Sequence, residues 1–242
     1  MSIWGSLIGG MVGFSLGGPF GMLLGSLIGG KISRARASGG GFGSFGKPQQ
    51  IFALSLIVLS AKLSKADGQV SKEELIAVRD KLKIPENEIE QVGKIFNKAK
   101  QESAGYEPYA QQIAQIYKNN PNVLEEVINI LFYIAEADGN VSKSELDMMK
   151  HIAQIFGLNQ SQFNSIKESR KSSDKLNPYV VLESNPEEDL QTIRKKYLQL
   201  SKENHPDMLI SKGVPKEVIE ESKKKMRAIN SAWDQIQKLK TN

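Results

Sequence analysis

From Ile3 to Gly30 the chain runs 28 residues without one charged side chain. At about 1.5 Å of rise per residue, a helix of that length outreaches the roughly 30 Å hydrocarbon core of a bilayer. Ten of the 21 glycines lie in the first 30 residues, and in water each would cost a helix about 1 kcal/mol relative to alanine. In lipid an unpaired backbone is costlier still, so a helix persists there. Residues 1–32 therefore read as a single transmembrane helix, with a cleaved signal peptide and a Gly-rich arm as the alternatives. A signal peptide carries its positive charge before a short apolar run, whereas Lys31, Arg34 and Arg36 follow a long one. Cations on that side predict an outer N-terminus and a cytoplasmic remainder.

Glycine placement adds a second expectation. Gly5, Gly9, Gly13, Gly17, Gly21, Gly25 and Gly29 recur at every fourth position. This spacing lines one slowly drifting helix face, along which two backbones can approach closely. It predicts a homodimer through the membrane helix, with a kink near Pro19. Residues 33–47 have the Gly/Ser composition of a flexible linker.

Charge distribution narrows the function classes. The chain carries 32 Lys+Arg against 27 Asp+Glu, a net +5. Lys31, Arg34, Arg36 and Lys47 supply nearly all of that excess, and bases balance acids downstream. A membrane surface fits this pattern, and a nucleic-acid partner does not. With no Cys and two His there is no thiol nucleophile and too few ligands for a protein-only zinc site. No cofactor is implied.

The middle of the chain is duplicated. Residues 65–75 read KADGQVSKEEL and 136–146 read EADGNVSKSEL, identical at eight of eleven positions. Each copy follows an apolar helical run, 51–63 and 123–137. A calcium loop is excluded, because loop positions 1 and 3 would be Leu63 and Lys65 in one copy and Ile134 and Glu136 in the other. Ser71 with Glu74, and Ser142 with Glu145, form capping boxes. Val70 with Leu75, and Val141 with Leu146, take the positions of a hydrophobic staple. Asp67 and Asp138 remain, either to brace the turn or to form an acidic surface for a cation or partner. The two ADG-x-V-S segments resemble the TerB-like all-helical domain, expected over 48–168 with a partner the sequence does not name. His151 reads as a packing or surface residue.

Residues 169–177 read as a second linker, and 178–242 as a helical hairpin. Asn185 with Pro186 and the acids Glu187, Glu188 and Asp189 suits a helix start. Leu190, Ile193, Tyr197 and Leu200 then face a core, and Arg194, Lys195, Lys196 and Lys202 face outward. Pro206 drives His205 out of the α region and ends the helix. A second helix, beginning near Pro215, buries Ile219, Ser222, Met226, Ile229, Trp233 and Ile236.

The combination I-x-x-x-Y, a basic helix, His205-Pro206-Asp207 and K-M-x-x-I-N-x-A-W resembles a J-domain. The order of anchor, TerB-like middle and J-domain resembles the DjlA type of membrane-anchored DnaJ-like co-chaperone. This resemblance implies an all-α chain in a bacterial inner membrane that stimulates ATP hydrolysis by a DnaK-type chaperone without being an enzyme. It implies docking through Arg194, Lys195, Lys196 and Lys202, with His205, Pro206 and Asp207 as the stimulating loop. An interaction scaffold centred on the TerB-like domain is the alternative.

Overall fold

The computed structural model describes residues 18–28, 48–65, 76, 78–80, 82–103, 105–171, 175–216 and 219–241. Regular structure among them is helical throughout: α1 (Gly18–Ile28), α2 (Pro48–Leu63), α3 (Glu86–Gln101), α4 (Glu107–Ile116), α5 (Pro121–Ala135), α6 (Lys143–Ile155), α7 (Gln160–Glu168), α8 (Pro178–Val181), α9 (Leu190–Glu203), α10 (Pro206–Ser211) and α11 (Ile219–Thr241).

The helices that precede the two duplicated turns form the centre. In α2 every residue from Ile51 to Leu63 is buried, and a helix with no polar stripe can only sit inside. Ser55 satisfies its hydroxyl by donating to the Ile51 carbonyl at 2.7 Å. In α5 all residues from Asn122 to Ala135 are buried except Tyr133. The two pack on each other, with α3, α4 and α6 against α2, and α6 and α7 against α5.

The second turn behaves as its sequence requires. Gly139 takes φ +92°, the left-handed region that favours glycine. The Glu145 amide then donates to Ser142 Oγ at 3.2 Å, and the Ser142 amide to Glu145 Oε2 at 2.8 Å, which closes the capping box. Val141 and Leu146 lie half-buried against the core. Asp138 ends a short 3-10 turn, Glu136–Asp138. Asp67, Gly68, Val70, Ser71, Glu74 and Leu75 lie outside the described residues.

Near Pro19, where a kink is expected, the described residues open at Gly18. Gly18 has φ +57°, a value no residue inside a right-handed helix takes, so α1 begins there. Pro19 falls in its first turn, where a missing N–H costs nothing. α1 lies against α3 and α4, with Phe20 and Leu23 fully buried. Among the described residues no helix is long and apolar enough to cross a membrane. Gly21 and Gly25 belong to α1; Gly5, Gly9, Gly13, Gly17 and Gly29 lie outside the described residues.

α8, α9 and α11 form a smaller unit with its own core of Val181, Leu182, Ile193, Leu200, Ile229 and Ile236. Tyr197 stacks on Trp233 with centroids 5.1 Å apart and planes 8° from parallel. Met226 is only half-buried, and Ile219 joins the core of the middle domain. The start of α9 also differs from expectation. Asp189, not Asn185, is the N-cap: its carboxylate accepts the Thr192 amide at 2.9 Å and the Thr192 hydroxyl at 2.6 Å. Those bonds hold the Asp189 carboxyl below its ordinary pKa. Residues 185–188 instead make a turn, held from outside by Lys240 Nζ on the carbonyls of Pro186 and Glu188, both at 2.7 Å.

Candidate functional site

α9 ends because Pro206 forces the residue before it into extended backbone, and His205 has φ −64° and ψ 132°. Pro206 then opens α10 at a position that needs no N–H. His205 caps this short helix with its own ring: Nδ1 accepts the Asp207 amide at 3.2 Å. A ring nitrogen that accepts carries no proton, so in this arrangement the imidazole proton sits on Nε2. The His205 and Asp207 side chains are 52% and 86% exposed, with Asp207 Oδ2 3.8 Å from Nδ1. The tripeptide is thus fixed in backbone and open to solvent in its two polar side chains.

The basic residues of α9 separate into two groups. Arg194, Lys195 and Lys202 are exposed, and at 100° per residue they share one side of the helix. Lys196 is half-buried and engaged, with Nζ 2.8 Å from both the Glu183 carbonyl and Glu188 Oε1. It braces the turn before α9, so the expected four-residue basic face retains three freely projecting cations. Leu198, between Arg194 and Lys202 on the same side, is 54% exposed. Its signal in the sequence is a leucine one position off the Leu190, Ile193, Tyr197, Leu200 core pattern. Met208, beside Asp207, is a second exposed apolar side chain.

From beneath, the middle domain holds this segment. Leu209 of α10 and Val214 after it are fully buried in the middle domain's core. Asn122, at the start of α5, bridges both ends of the segment: Nδ2 donates to the Glu203 carbonyl at 3.0 Å, and Oδ1 accepts from Lys212 Nζ at 3.0 Å. One helical turn on, Glu125 pairs with Lys225 of α11 at 2.7 Å, the side chains 8% and 3% exposed. Gln162 Nε2 donates to the other Glu125 oxygen at 2.9 Å, leaving that buried carboxylate doubly bonded. Tyr133 lies between cations from both sides of the junction, Arg170 5.2 Å and Lys224 4.4 Å from its ring centroid. Arg170 also reaches Glu136 at 2.7 Å. Burial pushes the nearby Glu183 carboxyl above its ordinary pKa, with the negative charge of Glu125 adding to the effect. His151 stays at the surface, Nδ1 2.8 Å from the Tyr106 hydroxyl. Asp67 lies outside the described residues, as does the side chain of Asp138.

Two family models match the chain. Residues 53–168 match the one described as tellurite resistance protein TerB, and residues 1–39 match the co-chaperone DjlA transmembrane domain. Proteins named co-chaperone protein DjlA match along nearly the full length: that of Photobacterium profundum is 27% identical over 98% of this chain and 99% of its own. From end to end, this chain is similar to the DjlA proteins. The counterpart in Coxiella burnetii is 25% identical over 98% of each chain, and that of Escherichia coli K12 24% identical over 99% of each. No solved structure matches. The TerB match covers the helices built around α2 and α5, and the transmembrane-domain match takes in α1.

Proposed function

We propose that this DjlA-like chain is a membrane-anchored co-chaperone whose C-terminal hairpin, a J-domain by its motif, docks on a DnaK-type chaperone and stimulates its ATP hydrolysis. It regulates an ATPase and is not itself an enzyme. The observation that carries the reading is the His205–Pro206–Asp207 segment: backbone fixed, His205 Nε2–H and the Asp207 carboxylate both presented to solvent. Such a donor and acceptor, two positions apart and held rigid, suit charge-assisted hydrogen bonds with a partner. Arg194, Lys195 and Lys202 supply steering toward an acidic surface, and Leu198 an apolar contact among them. No proton transfer is required of any of these groups. The anchor keeps the N-terminus outside a bacterial inner membrane and the helical domains in the cytoplasm, where ATP and the chaperone are, and glycine spacing favours a homodimer in the bilayer.

The test is the steady-state ATPase rate of a DnaK-type chaperone with the full chain in lipid nanodiscs, beside His205→Gln. Stimulation by the parent chain and its loss in the variant, with the two melting alike, is the expected result. No stimulation by the folded parent chain would overturn the reading in favour of a scaffold.

A further inference from the structure

The middle domain holds a segment that the family match assigns to the membrane. Residues 18–28 fall within the 1–39 match to a transmembrane domain, yet α1 rests on α3 and α4. The contact is specific in three ways. Phe20 and Leu23 are completely buried and Leu24 nearly so, with Phe20 edge-on to Tyr109 at 5.1 Å between centroids. Gln112 of α4, itself buried, accepts the Phe20 amide at 3.2 Å, satisfying a donor that a helix start leaves open. Gly18 holds φ +57°, and a Cβ there would come within 3.0 Å of Gln112. A side chain other than glycine at this corner would meet both backbone strain and that contact.

We propose that the groove between α3 and α4 is a docking seat for the apolar helix Gly18–Ile28 of the same chain, occupied whenever that helix is not in a bilayer. Lipid tails and the groove are both apolar, so Phe20, Leu23 and Leu24 lose little in passing from one to the other. The two placements exclude each other, because one face of Gly18–Ile28 cannot lie against α3 and α4 and in a bilayer at the same time. The middle domain of this chain thereby recognises an uncharged helix presenting Phe20, Leu23 and Leu24, and shelters it from water before insertion.

Cell-free synthesis of the full chain with the photo-crosslinking residue p-benzoylphenylalanine in place of Phe20 tests this. Without lipid, irradiation should join position 20 to the α4 peptide within one chain, while the same probe in place of the exposed Met22 should not. With phosphatidylethanolamine/phosphatidylglycerol vesicles present during synthesis, the α4 adduct should fall at least fivefold and lipid adducts should replace it. Absence of the α4 adduct without lipid overturns the seat, as does equal labelling from position 22. An undiminished adduct in chains inserted in vesicles overturns the exchange. Adducts between isotopically distinct copies overturn the intrachain occupant.

Discussion

The middle domain holds two guests, and it holds them by different physics. α1 is fastened by the apolar side chains Phe20, Leu23 and Leu24 and one hydrogen bond to Gln112. The C-terminal hairpin also buries apolar groups, Leu209 and Val214, but its junction adds directed polar contacts: Asn122 at both ends of the His-Pro-Asp segment, and the buried Glu125–Lys225 pair. Apolar contact is non-directional and a lipid tail can replace it. A lipid tail cannot take the place of one partner in a buried ion pair, because the other charge would be left unpaired. The same domain is thus built to release one guest and to keep the other in a single orientation.

The largest expected effect lies at the polar junction. Lys225→Met leaves Glu125 buried opposite an apolar group and should cost about 3–5 kcal/mol, read as a fall in the urea midpoint of the full chain. Restoration by the double variant with Glu125→Leu would show that the penalty came from the stranded charge. If the single variant is as stable as the parent, the junction is not what holds the hairpin. Next comes the apolar seat. Leu23→Ala should cost about 2–4 kcal/mol in lipid-free chain and much less in vesicles, where α1 has left the groove; equal losses in both settings would make α1 a permanent part of the domain.

The smallest effect concerns pH. Burial raises the Glu183 carboxyl, so the folded state binds a proton more tightly than the unfolded chain does. Stability should therefore decline as pH rises from the ordinary value of 4.5 through the raised folded value. Glu183→Gln should remove that slope from a series of urea titrations. A slope unchanged in the variant would place the titration elsewhere.

Much of the local structure was legible before folding. Ser142 with Glu145 closes its box with residues three apart, and Pro206 sets the backbone of His205 through its own ring; neither needs a distant partner. The largely apolar runs that became α2 and α5 have too little polar surface for an exposed helix face. Where two local solutions competed, distant residues decided. Asn185 and Asp189 are both adequate N-caps, but Lys240, some fifty positions away, claims the Pro186 and Glu188 carbonyls that an earlier helix start would use. Lys196 carries the same charge as its neighbours and differs only because the turn folds Glu183 and Glu188 against it.

Sequence alone determined the interior helices α2 and α5, the capping box of the second turn, the His205–Pro206–Asp207 backbone and the uncharged N-terminal segment, since each follows from residues within a few positions of one another. Tertiary structure alone decided that α10 rests on the middle domain, that Glu125 meets Lys225 and that α1 has a seat beside Gln112. Those contacts join residues some 80–100 positions apart, and no periodicity or spacing encodes which apolar face will meet which, because hydrophobic contact carries no address of its own.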